Sequence, residues 1–371
     1  MRIAITTDGI FPHSVGGMQR HSKFLIEGLA LHFGAEAELH VVHPHDEYVF
    51  SDFSNVIEHR LTRYNRHRIY LIDCFRYSQG VNELLGEIKP DTIYAQGLTV
   101  WAGLNRWGSK TMVNPHGLEP YQSLGLRGRL IAIPFKLVFN HIFRQSARVV
   151  SLGGKLTNIL KGIVPESKIA ILPNGIDLEL FPMREDIPST FNFLFVGRFA
   201  SNKGIANLLS VSAQLMDDGY SFHLNLIGKG PLYDDLYAQY KDVDWVRFFG
   251  YASDEEIARA YRQCSVFVLP TLFEGMPTVV LEAMASGAPI IVSDVGACRE
   301  MVDKDNGWVI APGNNESLYQ AMKASMSELN LEAKGKISMQ KSRKFNWSEV
   351  TKQTTAHVEF LNMGERPLPR R

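Results

Sequence analysis

Two carboxylates with seven residues between them, Glu274 and Glu282, are the strongest chemical signal in the chain. Glu274 stands in a loop after a short apolar run. Glu282 stands on a helix that begins near Pro277 and closes at Gly287. Such a pair can hold different hydroxyls of one polyol, and the helix start between them offers N–H groups to a phosphate. An exposed loop Glu followed by a surface-helix Glu is the plain alternative. Glu282 sits among Val, Leu, Ala and Met, which weighs against it. Arg198 and Lys203, five residues apart, lie between a strand and a helix. They can grip the two phosphates of a diphosphate, Arg as a bidentate fork and Lys as a point charge; a solvated basic loop is the alternative.

Other residues carry weaker signals. Gly16 and Gly17 open a helix after the first strand, as an anion-binding turn or a purely structural one. They are not the G-x-G-x-x-G of a nicotinamide dinucleotide site. The run Asn114-Pro115-His116-Gly117 ends a strand, with His116 facing a ligand cleft or bonded to backbone. Gly228, in Gly-Lys-Gly-Pro, and Tyr251, after Phe249-Gly250, line a nucleotide or are ordinary turn residues. Gly103 and Gly108 have phosphate-loop spacing, but Ser109 precedes Lys110 and the required order is absent. His40, His43 and His45 hint at a metal, yet His40 and His43 face opposite sides of a strand, so no metal is expected.

These residues need strands to place them. Apolar, β-branched runs are predicted at 2–7, 38–43, 92–95, 111–114, 148–151 and 169–172, and again at 193–197, 223–227, 245–249, 266–269, 289–293 and 307–310. Helical patterns fill most intervals, so two doubly wound parallel sheets are expected. The boundary falls near 173–190, where Pro173, Pro182 and Pro188 cluster. The domains are predicted as 1–175, joined by a C-terminal helix at about 350–371, and 176–350. Residues 364–371, rich in Pro and Arg, read as a frayed tail. Ligands in such sheets sit outside the carboxyl ends of the strands, so the residues singled out should face a cleft between the two domains.

Composition excludes several classes. Of 371 residues, 39 are Lys or Arg and 39 Asp or Glu, which argues against a nucleic-acid binder. Three widely spaced cysteines, Cys74, Cys264 and Cys298, fit reduced thiols and no disulfide framework. The first apolar run is too short for a signal peptide, and no run is long enough to span a membrane. A cytoplasmic protein is expected.

Taken in order, several motifs resemble the retaining GT-B glycosyltransferase family called family four, or glycosyl transferases group 1. They are Gly16-Gly17, Pro173-Asn174-Gly175-Ile176-Asp177, Val196-Gly197-Arg198, Lys203-Gly204, Gly228-Lys229-Gly230-Pro231, the Glu274–Glu282 pair and Phe345-Asn346-Trp347. The likeness runs along most of the chain. It implies a nucleotide-diphosphate-sugar donor held mainly by the C-terminal domain. Arg198 and Lys203 would neutralise the diphosphate, Glu282 would bind ribose, and Glu274 would contact sugar hydroxyls. Gly275, Met276, Pro277, Thr278 and Val279 would offer backbone donors. Gly16 and Gly17 would close on the phosphates, and His116 would contact the transferred sugar. The last helix would cross back to the N-terminal domain. Four positions depart from the family pattern: Gln19 and Asn202 stand where acids are usual, and Met276-Pro277 replaces Phe-Gly. No covalent nucleophile is evident, so front-face attack is expected, with the departing phosphate helping to deprotonate the acceptor. The two cations take the part of a metal.

The leading expectation is a sugar transferase for polysaccharide, lipopolysaccharide or glycolipid assembly, with a UDP-sugar favoured and GDP-mannose next. The acceptor would be a saccharide or a lipid-linked one. A nucleotide-sugar epimerase or hydrolase and a non-catalytic nucleotide-sugar-binding protein are the alternatives. Residues 101–162 carry nine cations and one acid, Glu119. Within them Arg129, Lys136, Arg144 and Arg148 are predicted to share a helix side, opposite Ile131, Phe135, Val138, Phe139 and Ile142. Such a segment lies on an anionic membrane or packs its apolar side on the sheet, with Pro134 interrupting the helix.

Overall fold

A computed structural model describes residues 1–14, 16–62, 69–122, 125–184 and 190–363. Pro188 and the tail at 364–371 lie outside them. The chain forms two compact units, Met1–Asn174 with Trp347–Arg371, and Gly175–Asn346.

The first unit holds seven strands: β1 (Arg2–Thr6), β2 (Glu38–His43), β3 (Val56–Arg60), β4 (Thr92–Gln96), β5 (Thr111–Asn114), β6 (Arg148–Ser151) and β7 (Ile169–Ile171). They lie in the order β3-β2-β1-β4-β5-β6-β7, and every neighbouring pair is parallel. Ile3, Ala4 and Ile5 are fully buried, as a strand covered on both faces requires. β3 has no counterpart among the predicted strands. It is an edge strand with two apolar residues, both at least partly exposed. What holds it is β2 together with Glu58, whose carboxylate meets His43 at 3.0 Å and accepts from the backbone of Val49 and Phe50.

The helix Trp347–Asn362 completes this unit. Trp347 stacks on Phe24 with ring centroids 5.7 Å apart, and Val358 joins the core around β1. A side chain at Gly28 would collide with Thr351, so the helix Gly17–Phe33 and the C-terminal helix pack backbone-close.

The second unit holds β8 (Asn192–Val196), β9 (His223–Ile227), β10 (Val246–Gly250), β11 (Val266–Leu269), β12 (Ile290–Ser293) and β13 (Gly307–Ile310). Their order is β10-β9-β8-β11-β12-β13, again all parallel. Each unit is thus a Rossmann-like doubly wound sheet. The strand order reverses between β1 and β4 in one and between β8 and β11 in the other, and the loops leaving those strands diverge to leave a crevice.

The basic segment departs from its sequence reading in two ways. The helix Gly125–Gln145 runs unbroken through Pro134. Pro134 is exposed, so water can serve the carbonyl that loses its partner. Arg148 does not lie on that helix; it begins β6, with its guanidinium over the Phe360 ring.

Candidate active site

The loops at the switch point of the second unit carry the charged residues. Arg198 follows β8 directly and is exposed. Among the described residues it makes no ion pair. Lys203 ends the short turn Ser201–Lys203, and Gly204 then adopts φ 69°, a left-handed conformation that lets the chain enter the helix Ile205–Asp217. A Cβ at Gly204 would strike the carbonyl of Pro270, in the loop after β11. The two loops are sewn together at Asn202, whose carbonyl accepts from the Leu272 N–H at 2.7 Å and the Thr271 hydroxyl at 2.9 Å. Asn202 therefore works through its backbone, and its side chain need not be acidic to fix this junction.

Across the junction Lys203 Nζ meets Glu274 Oε1 at 2.5 Å. Both side chains are largely enclosed, which strengthens the pairing relative to a surface contact. The Glu274-Gly275 turn is backed by Gly296, where a Cβ would strike both carbonyls, and the Ala297 N–H donates to the Gly275 carbonyl at 2.9 Å. Met276 and Pro277 are buried and lead into the helix Thr278–Ala285, which has no side-chain cap. Its first N–H groups and its dipole face the same turn.

Glu282 lies on that helix, half-buried. The Tyr261 hydroxyl donates to its Oε2 at 2.9 Å. Tyr261 is fully enclosed, ringed by Phe181 and Phe267, on the helix Asp254–Gln263, which starts with a capping box from Ser253 and Glu256. Nothing in the sequence marks Tyr261 as a partner of Glu282, because the two are brought together only by helix packing. Gly228 adopts φ 127°, and a Cβ there would strike the Gly197 carbonyl. The loops after β8 and β9 can therefore lie against each other, joined by Phe199 N–H to the Lys229 carbonyl. Lys229 itself lies over the Tyr233 ring. Tyr251 is almost wholly exposed beyond β10.

At the switch point of the first unit, Gly16 precedes the helix that Gly17 begins, and the Gly16 carbonyl accepts from the Arg20 N–H. His116 has φ 58°, a left-handed conformation that costs a non-glycine residue about 1 kcal/mol or more. Its neighbours hold it there. Its N–H donates to Asn114 Oδ1 at 2.9 Å, its Nε2 lies 3.3 Å from Gln96 Oε1, and its ring meets His21 edge-on at 4.8 Å. Gln96 in turn accepts from Ser22 at 2.6 Å, and Asn114 donates to the Tyr94 hydroxyl. Burial, and then His21, hold the His116 pKa well below the usual 6.5, so the ring is neutral at pH 7. Gln96, Asn114, Tyr94 and His21 were not among the expected site residues; scattered through the chain, they meet only where β4 and β5 pack against the helix Gly17–Phe33.

His40 and His43 lie on opposite faces of the sheet, as the strand period predicts. His40 Nδ1 meets His59 at 2.9 Å on one face of the sheet, while His43 meets Glu58 on the other. Among the described residues no group of three or more His, Cys, Asp or Glu is placed to hold a metal ion. Cys74, Cys264 and Cys298 form no disulfide.

Two doubly wound parallel sheets, with a cation–carboxylate pair at the switch point of the second, define a class of two-domain transferases with the GT-B fold. Residues 15–180 match the family described as Glycosyltransferase Family 4, and residues 190–328 match Glycosyl transferases group 1. The chain belongs to this family of glycosyltransferases. An uncharacterized glycosyltransferase of Methanocaldococcus jannaschii is 26% identical over 90% of this chain and 92% of its own. A putative colanic acid biosynthesis glycosyltransferase, WcaL of Escherichia coli, is 26% identical over 65% of this chain and 63% of its own. Among solved structures, sucrose-phosphate synthase from Thermosynechococcus elongatus superposes with a TM-score of 0.82 at 21% identity, covering 98% of this chain and 100% of that one. Anabaena HepE, solved in complex with UDP-glucose, superposes at 0.70 with 15% identity, covering 97% and 99%.

Proposed function

We propose that this glycosyltransferase moves a sugar, with retention of anomeric configuration and without a metal, from a nucleotide-diphosphate sugar to a saccharide or lipid-linked acceptor. A UDP-sugar is the favoured donor and GDP-mannose the next. The pathway class is polysaccharide, lipopolysaccharide or glycolipid assembly, the kind of work that the name of the E. coli relative describes. The UDP-glucose held by HepE supports the choice of base. The observation that carries the reading is the Lys203–Glu274 pair at the β8/β11 switch point, with Arg198, which makes no ion pair among the described residues, five positions before Lys203.

Departure of a nucleoside diphosphate leaves negative charge on the β-phosphate and positive character on the anomeric carbon. Arg198 and Lys203 stabilise the first, together with the backbone N–H groups of Gly275–Val279. Before donor arrives, Glu274 neutralises Lys203. With donor bound, Lys203 turns to phosphate and the Glu274 carboxylate accepts from sugar hydroxyls. Glu282, oriented by Tyr261, accepts from the ribose. Gly228 and Tyr251 border the nucleotide. Gly16 and Gly17 supply further N–H groups to phosphate. Neutral His116 hydrogen-bonds to the transferred sugar. The protein acts in the cytoplasm, associating peripherally with the anionic inner face of the cell membrane, and nucleic acid is not a partner.

Product analysis tests the reading. Nucleoside diphosphate release that depends on acceptor, with the donor's anomeric configuration kept in the product and no effect of chelator, is the expected result. Donor consumption without acceptor would replace it with a hydrolase or epimerase. Donor binding without turnover would leave a binding protein.

A further inference from the structure

The helix Gly125–Gln145 has two apolar stripes, and only one is packed. Phe139, Ile142 and Phe143 point inward, the last two fully buried. Of the apolar side read from the sequence, Ile142 lies in the core, whereas Ile131, nearer the helix start, is 60% exposed. A second stripe points to solvent. Leu126, Leu130, Ile133 and Leu137 are 81%, 67%, 48% and 65% exposed, and at 100° per residue they span only about 60° of the helix. Tyr70, beside exposed Ile69, faces Phe135 with ring centroids 6.3 Å apart, on the opposite side of the helix from this stripe. Among the described residues, nine of the nineteen exposed large hydrophobic side chains fall in 69–75 and 126–137. Scattered surface leucines are ordinary; a contiguous stripe is not.

Charge selects the occupant. The helix carries Arg127, Arg129, Lys136 and Arg144 and no acid. Arg129 and Lys136 flank the stripe on one side and Arg127 on the other, while Arg144 continues it. A second copy of the chain meeting this face across a two-fold axis would oppose four cations to four. An anionic bilayer accepts both features: apolar tips enter the acyl boundary while the guanidinium and ammonium heads stay among the phosphates. No helix among the described residues is long and apolar enough to cross a membrane, so this one would lie flat.

We infer that Leu126, Leu130, Ile133 and Leu137, with their flanking cations, form the surface by which the N-terminal unit docks on an anionic membrane. The inference rests on the membrane placement proposed above and specifies its structural basis. Vesicle co-sedimentation at low salt, without donor, tests it. Wild-type protein should bind vesicles containing phosphatidylglycerol, bind phosphatidylcholine vesicles poorly, and be released by high salt. Leu130→Glu with Leu137→Glu should weaken binding about tenfold or more, and Arg129→Glu with Arg144→Glu should weaken it and flatten its salt dependence. All four positions are exposed, so unchanged circular dichroism and thermal midpoint should accompany the loss. Binding by wild type that the double-Leu variant retains would overturn this surface and leave membrane placement standing. Failure of wild type to bind anionic vesicles would overturn both. A dimer that the double-Leu variant dissociates would assign the face to a second copy and overturn the inference.

Discussion

The chemistry proposed rests on a few side chains whose partners differ from those they need during catalysis. Lys203 is already neutralised by Glu274, whereas Arg198 has no ion pair among the described residues. Arg198→Ala and Lys203→Ala should each lower kcat/KM about a hundredfold to a thousandfold, the scale for removing one preorganised group that stabilises transition-state charge. Glu274→Ala should also collapse turnover while circular dichroism stays unchanged. Tyr261→Phe is subtler. It leaves a carboxylate with one donor fewer, so donor KM should rise by about tenfold with kcat largely kept. A steady-state comparison of the four variants checks both expectations. Of the expected site residues, Arg198, Lys203 and Glu274 lie in the loops that leave β8 and β11, strands readable as short apolar runs, and Glu282 lies on the helix that follows. Tyr261, Gln96 and Asn114 were not legible, since a lone Tyr, Gln or Asn in a strand or helix has no sequence pattern that names its partner.

At the scale of elements, the site depends on how closely two loops approach. Gly204 is required twice, by its φ of 69° and by the Pro270 carbonyl against it. Gly204→Ala should cost about 2 kcal/mol or more, measured by denaturant unfolding, and should lower turnover because it pushes apart the loops that carry Lys203 and Glu274. The strands beneath were readable as short apolar runs. β3 was not, because its stability comes from β2 and from the Glu58 contacts rather than from its own residues. The helix 125–145 shows the reverse error. Its inward stripe was visible as periodicity, but only the fold reveals that the leucines on its basic side are left outside.

The whole molecule should also report its buried histidines. Burial pushes His21 down to about 4, and His116 is lowered well below its ordinary value. Unfolded imidazoles take up protons near pH 6.5. Between that pH and about 4 the unfolded chain therefore binds more protons than the folded one, and stability falls as pH drops. His21 alone accounts for about 3 kcal/mol across that window. Thermal midpoints recorded from pH 7 down to 4 should decline, and His21→Gln should flatten the slope. The central claim, that the second unit binds a nucleoside diphosphate through Arg198 and Lys203, is tested most directly by thermal shift with UDP in the presence of a chelator. The account predicts a clear rise in midpoint for wild type, strongly reduced in Arg198→Ala and Lys203→Ala. A rise of equal size in all three proteins, or none for UDP, GDP or ADP with well-folded wild type, would contradict it.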